Sequence, residues 1–500
     1  MNRIKKFFQT TESRNGSYSV GITVLVLVIV IILNLIAGQL PEKIRNIDVS
    51  STKIYEITDT SKDLLKKLDQ DVTMTVLADK SDTDERIKTF LSKYSALSDH
   101  ISVKWIDPVL HPSALNEYQA SENSIVVSCE ETGKTTTVSF DDIIVMDQAS
   151  YYYTGTATEA EFDGEGQLTS AVNYVTTTEN HTIYRTAGHG ESTFSTTISD
   201  LMDKSNDTVT ELNTVMDASI PEDCDLLLMY APTTDLSETE VSALETYLQK
   251  GGKMMVILGD KEKGELPNLE ALMKTYGLEM ADGYIADTQR NYQGNYYYIF
   301  PELSLDSDLS SGISSEMVLV INSHGLTQID PARDTITTTP FMTTSQGGYA
   351  VTEDAQTEGT YVLGAVATES VTDAASADAA TSDSAENAED TEATSETNTS
   401  ENTASEVNTT QSRLTVIASA SLIDPQVTDS FSTLENSQLF MNAVTANFDD
   451  TQNISIEPKS LTAEYNSVQH GGLLSILVIF VLPAAVLISG LVVWIRRRRA

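Results

Sequence analysis

The strongest chemical signal in the chain is the tetrapeptide Gly188-His189-Gly190-Glu191, which follows a short strand-like run, His181–Arg185. An imidazole two residues before a carboxylate can act as a base with an orienting acid. The flanking glycines allow positive φ and a close backbone approach to a ligand. The same residues also read as a tight strand-to-helix turn, with Glu191 placed in the first helical turn where a negative charge is favoured. Sequence alone leaves turn, ligand site and catalytic site open. The assignment made here is ligand binding at Gly188, His189, Gly190 and Glu191, with no catalytic residue, metal or cofactor.

Other patterns are weaker. Ser128-Cys-Glu-Glu-Thr-Gly133-Lys134-Thr135 approaches a phosphate-binding loop but lacks its first glycine. It also stands between two strand-like runs, so no helix N-terminus would meet a phosphate. No G-x-S-x-G elbow and no H-E-x-x-H occur, and the six histidines are scattered. His324, before Gly325, either faces His189 across a sheet edge or is a solvated turn residue. Asp235 reads as a turn or cap residue ahead of a ligand contact. Cys129 and Cys224 are too few for a disulfide framework and read as two buried thiols.

The elements that would position these residues alternate between strand and helix. Val72–Leu77 has strand alternation, and Ile87, Phe90, Leu91, Tyr94 and Leu97 share one helical face. Ile101–Ile106 is a strand, and Ser124–Cys129 with Thr135–Phe140 forms a hairpin. These make a first α/β domain over residues 48–147. A Tyr-, Gly- and Thr-rich passage, residues 151–166, breaks the pattern. A second α/β domain spans residues 181–450. Its strand near His181–Arg185 is followed by a helix over Phe194–Met202 and a buried strand at Asp225–Tyr230. Ser237 and Glu240 then cap a helix that ends at Gly251-Gly252, before the strand Lys253–Leu258. Such a series implies right-handed crossovers and a parallel sheet covered on both faces. Met317–Asn322, Thr360–Val366 and Leu414–Ser419 are expected in the same sheet, and Leu434–Phe448 as a closing helix. Residues 280–310 read only as a Tyr-rich loop.

Residues 368–410 contain eleven Asp or Glu, no Lys or Arg, and few apolar side chains, so this insertion is expected to be disordered. The whole chain has a net charge of −42, which disfavours nucleic acid as a partner. Two uncharged apolar runs, within residues 19–39 and 472–495, are each long enough to cross a bilayer. Arg3, Lys5, Lys6 and Arg14 precede the first, and Arg496 to Arg499 follow the second. The positive-inside rule therefore puts tails 1–18 and 496–500 in the cytoplasm. The middle of the chain would lie outside the cell membrane, joined to the second span by a stalk, residues 451–471. A cleaved signal peptide is the competing reading of the first run. Against it stand a long n-region and a poor cleavage site at Ala37-Gly38-Gln39.

Three features together resemble a known family. They are Ala187-Gly188-His189-Gly190-Glu191 after a strand, the run Asp225 to Ser237 with its helix and Lys250-Gly-Gly-Lys-Met-Met-Val-Ile257, and the two apolar ends. The chain is similar to the auxiliary component of ABC transport systems of the gliding-motility G type. That resemblance implies an anchored, non-catalytic accessory subunit whose partners are an ABC permease and a separate ABC ATPase, with lipid contacted through two helices. It implies a thioredoxin-like first domain and a second resembling the class I glutamine-amidotransferase fold. No Cys-x-x-Cys stands in the first domain, so redox work is not expected there. The alternatives are a surface interaction module without a transporter, or an anchored hydrolase using His189 and Glu191.

Overall fold

The computed structural model describes residue 28 and residues 53–147, 156–178, 180–260, 265–372, 409–429, 431, 433–448 and 453–461. Apart from residue 28, the expected spans, the tails and most of the acidic insertion lie outside the described residues. Among the described residues no helix is long and apolar enough to cross a membrane. The chain is a mixed α/β protein with several sheets. It divides into two units, residues 55–145 with 162–458, and residues 1–54 with 146–161 and 459–500. In the second of these, the backbone N–H of Leu461 donates to the Ala160 carbonyl at 2.7 Å.

In the larger unit, helix α1 (Asp59–Lys67) leads to strand β1 (Val72–Leu77), helix α2 (Glu85–Ser95), strand β2 (Ile101–Ile106) and the hairpin β3 (Ser124–Cys129) and β4 (Thr135–Ser139). The sheet order is β2-β1-β3-β4, with β1 parallel to β2 and antiparallel to β3. Helix α2 buries Ile87, Phe90, Leu91 and Tyr94, the face its spacing predicts, and Asp84 caps its start. Lys134 sits in the β3–β4 hairpin, where its ammonium donates to the Thr177 carbonyl at 2.7 Å and lies over the Tyr174 ring. Both contacts tie the hairpin to residues 174–177.

Helix α3 (Gly164–Thr176) was not legible in the sequence, and it packs against β3, β4, α1 and α2. Its Glu165 is 3% exposed, and Oε1 accepts from the Thr58 N–H, the Thr58 hydroxyl and the Ser61 hydroxyl, each at 2.7 Å. A carboxylate saturated in this way can be buried at modest cost.

The main sheet of this unit follows. Strand β5 (Thr182–Ala187) leads into helix α4 (Thr196–Lys204) and strand β6 (Thr208–Asn213). Strand β7 (Leu226–Tyr230), helix α5 (Glu238–Gln249), strand β8 (Lys253–Ile257) and helix α6 (Pro267–Thr275) come next. The long strands β9 (Val362–Thr372) and β10 (Thr409–Ile417) and helix α7 (Asn436–Thr445) complete it. Strands β10, β8, β7, β5 and β6 run parallel in that order, and β9 joins β10 antiparallel. Period-two alternation sends Leu226, Leu228, Met255 and Ile257 to one face, against α4 and α7. It sends Leu227, Met229, Met254 and Val256 to the other, against α5 and α6. The β9–β10 pairing runs out to Thr372 opposite Thr409, so the acidic insertion joins two paired strands as expected, but its first residues, 368–372, and its last, 409–410, expected to be disordered, are strand.

Two expectations are corrected. Val320–Ile321 is not a strand of the main sheet. It pairs with Asn295–Ile299 in a small separate sheet, and the Asn436 side-chain amide holds Leu319, its Oδ1 accepting from the Leu319 N–H and its Nδ2 donating to the Leu319 carbonyl. Residues 280–310 are not a loop. Tyr284–Asp287 pairs with Gly348–Val351, and Asn291–Tyr292 forms a hairpin with Asn295–Ile299. The turn of that hairpin places Gln293 and Gly294 at positive φ. Asn453 to Ile456, at the head of the segment expected as a stalk, is buried.

Candidate functional site

The Gly188–Glu191 turn stands at the carboxyl end of β5, where open parallel sheets place ligand sites. Gly188 and Gly190 are exposed and left-handed, with φ of +112° and +73°. A Cβ on Gly190 would lie 2.2 Å from the Thr233 hydroxyl, so only glycine fits against the neighbouring loop. That loop follows β7 and holds the turn: the Thr233 and Thr234 N–H groups donate to the His189 carbonyl at 2.8 and 2.9 Å.

His189 points inward and is 2% exposed. Its Nε2 is 3.2 Å from Glu240 Oε1, and its Nδ1 is 3.6 Å from Glu191 Oε1. Both glutamate side chains are less than a tenth exposed, at 6% and 7%. Glu191 Oε2 also accepts from the His189 N–H at 2.8 Å, which folds the side chain back over the turn. Glu240 completes the capping box of α5, its Oε2 accepting from the Ser237 N–H and hydroxyl at 2.8 Å each. Burial pushes the Glu240 carboxyl up, but these Ser237 donors, the Thr214 hydroxyl and His189 outweigh it and hold the group below its ordinary value. The three side chains make a buried Glu-His-Glu cluster under a glycine-flanked surface turn. Glu240, which α5 brings in, is the member the sequence reading assigned only to the cap.

The remaining candidates lie elsewhere along the same edge. His324 is buried rather than solvated, and its ring meets the Gly259 carbonyl rather than His189. It is 4% exposed, and its Nε2 is 2.6 Å from the Gly259 carbonyl after β8. Its placement follows from a backbone N–H bond to the Ala418 carbonyl beyond β10. Asp235 is a cap, as expected: it accepts from the Asn268 and Leu269 N–H groups at the start of α6, at 2.9 and 3.2 Å. The left-handed position immediately after β7 belongs to Ala231, with φ of +52° and 4% exposure. A nucleophile elbow would use such a position for a serine or cysteine. Cys129 is buried and Cys224 half-buried, both as free thiols. Among the described residues no group of histidine, cysteine and carboxylate side chains could hold a metal ion.

Comparison with solved structures yields loose likenesses. The N-terminal domain of mmIFT52 shares 16% identity at a TM-score of 0.34, over 54% of this chain and 99% of that one. A ThuA-like protein from Bacteroides uniformis ATCC 8492 shares 9% at 0.27, over 55% and 94%. The exo-β-1,4-mannosidase Op5Man5 from Opitutaceae bacterium strain TAV5 shares 10% at 0.24, over 73% and 48%. No curated protein matches the sequence at a significant level. A family model for a domain of unknown function matches residues 51–146. A second model, described as an ABC-type uncharacterized transport system, matches residues 180–448, which is more than half of the chain. The chain therefore belongs to this family of ABC-type transport-system proteins.

Proposed function

We propose that the chain is a non-catalytic accessory subunit of an ABC transport system, anchored by its two apolar ends with the bulk of the chain outside the cell membrane. The family match over residues 180–448 carries this reading. ATP hydrolysis falls to a separate chain, since Lys134 is engaged in a hairpin without a helix behind it. The likeness of the first domain to thioredoxin-like folds and of the second to glutamine amidotransferases belongs to the same reading.

Within it, the exposed backbone of Gly188 and Gly190 contacts a ligand or partner, and His189 is a positioning residue that fastens the turn from below. The anchored-hydrolase alternative is disfavoured because His189 is closed off by Glu191 and Glu240, and Ala231 occupies the left-handed turn beside it. The decisive test is affinity purification of the tagged full-length chain in mild detergent, with mass spectrometry of what comes with it. An ABC permease and a separate ATPase are expected. Recovery of neither, or ATP turnover by the chain alone, would refute the accessory-subunit reading.

A further inference from the structure

Strand β6 (Thr208–Asn213) ends the main sheet, pairing with β5 on one side alone among the described residues. Its surroundings are unusual for a parallel sheet, which is normally covered on both faces. Five of its six residues are exposed, Leu212 being the exception. Val209 is 40% exposed, and Val215 and Met216, in the turn that follows, are 58% and 85% exposed. Natural sheet edges are usually blunted by lysine, proline or a bulge. The segment Thr-Val-Thr-Glu-Leu-Asn has none of these, and its register with β5 is unbroken from Thr182 opposite Thr208 to Ala187 opposite Asn213.

The backbone directions follow from one bond. The Thr208 N–H donates inward to the His181 carbonyl at 2.8 Å. Alternation then turns Thr210 and Leu212 inward as well, and leaves the N–H and C=O groups of Val209 and Glu211 facing outward. An edge with spaced donors and acceptors and β-branched side chains is matched by an extended strand. Its charge selects the kind of strand. Asp207, Glu211 and Asp217 stand along it against Arg185, which pairs with Glu211 at 3.1 Å, and His181, 3.2 Å from Asp207, so acidic groups still outnumber basic ones at this edge of a chain of net charge −42. Another acidic chain, a second copy included, would be repelled.

We propose that the free edge of β6 is a docking site for an extended, basic segment of a partner protein, which adds a strand to the main sheet. The inference rests on the edge geometry and charge, not on the assignment to a transport system. The test uses the purified full-length chain and a labelled synthetic peptide of alternating valine and threonine flanked by lysines, read by fluorescence anisotropy. The wild-type chain should bind it, and binding should weaken with salt. Val209→Pro removes an outward N–H while leaving the inward ladder to β5 intact. It should weaken binding about tenfold, the worth of one or two net hydrogen bonds. A backbone N-methylated peptide should lose as much against the wild type. Val209→Lys, which keeps the backbone and adds a like charge, should also bind more weakly, and it covers the case in which the proline variant does not fold. The proposal is overturned if the peptide binds no better than its N-methylated form, or equally well to the folded variants. It is overturned as well if sedimentation shows a dimer of the wild type that Val209→Pro dissolves, since the occupant would then be a second copy.

Discussion

Lys204 offers the sharpest test of how the larger unit is held together. It is 3% exposed at the end of α4 and binds three oxygens: Asp163 Oδ2 at 2.7 Å, Asp200 Oδ2 at 2.6 Å and the Ile456 carbonyl at 3.2 Å. Burial alone would lower its pKa, but Asp163 and Asp200 raise it, so the ammonium stays charged. Asp163, just before α3, is pushed up to about 7 by burial, with Lys204 opposing the rise. Its Oδ1 has no donor, so it is the member of the pair that titrates. Because its folded pKa lies above the ordinary 3.8, its contribution to stability is full below that value and is lost as pH rises through about 7.

Lys204→Met leaves the Asp163 carboxylate buried without its cation. Such a loss costs about 3–5 kcal/mol, or roughly 6–20 °C in Tm at about 2–4 °C per kcal/mol. Protonating Asp163 relieves the cost, so it should be smaller at about pH 5 than at about pH 8. Asp200 is the control. Its side chain is 41% exposed, and Asp200→Asn should cost less than about 1 kcal/mol. Adding Asp163→Leu to Lys204→Met should recover part of the stability, since an apolar pair of similar volume can replace a buried ion pair. The assay is thermal unfolding followed by circular dichroism at the two pH values. A Lys204→Met variant that melts within a degree of the wild type, or whose loss grows on acidification, would refute the reasoning.

Other expectations follow from single contacts. Gly190→Ala should lose roughly 1–2 kcal/mol to its left-handed backbone alone, and more from the approach of 2.2 Å to the Thr233 hydroxyl, read as a lower urea midpoint. Asp235→Ala should cost about 1 kcal/mol by uncapping α6, with faster amide exchange at Asn268 and Leu269 as its local sign. Replacing residues 373–408 with Asn-Gly should change Tm by only a few degrees, because Thr372 and Thr409 are already paired and loop-closure entropy grows slowly with length. A large fall in Tm on that deletion would show that the acidic segment contributes to the core.

What could be read from the sequence was what local chemistry decides. The alternating run at Val72–Leu77, the apolar face of α2, the Ser237–Glu240 box and the buried strands β7 and β8 each follow from spacing within a few residues. What could not be read depends on distant partners. Helix α3 begins Gly-Glu-Gly, a poor start on propensity, and its Glu165 becomes a core residue only because Thr58 and Ser61 supply donors from 104 to 107 residues away. Strand β6 has little apolar alternation because most of its residues are exposed. In the candidate site, Gly188 to Glu191 were singled out by their types. The second carboxylate, Glu240, was hidden because its helix-cap role already accounted for it.

These misses share a cause. In a chain with 73 acidic and 31 basic residues, a charged side chain is read as surface by default. Yet Glu165, Lys204 and His189 are each no more than 3% exposed. Each lies where segments far apart in the chain meet: α1 with α3, α3 with α4 and the 453–456 segment, and the β5 turn with α5. An apolar residue at such a junction would pack against many neighbours almost equally well. A buried carboxylate or ammonium is satisfied only by particular donors or acceptors in one arrangement, and any other arrangement leaves it buried and unpaired. The polar junctions are therefore expected to specify which segments meet, while the two apolar faces of the main sheet supply most of the stabilisation. Lys204→Met combined with Asp163→Leu separates the two contributions. If the junction selects the arrangement, that double variant should keep much of its Tm while residues 453–456 exchange their amides faster than in the wild type. If it only stabilises, protection of that segment should follow Tm.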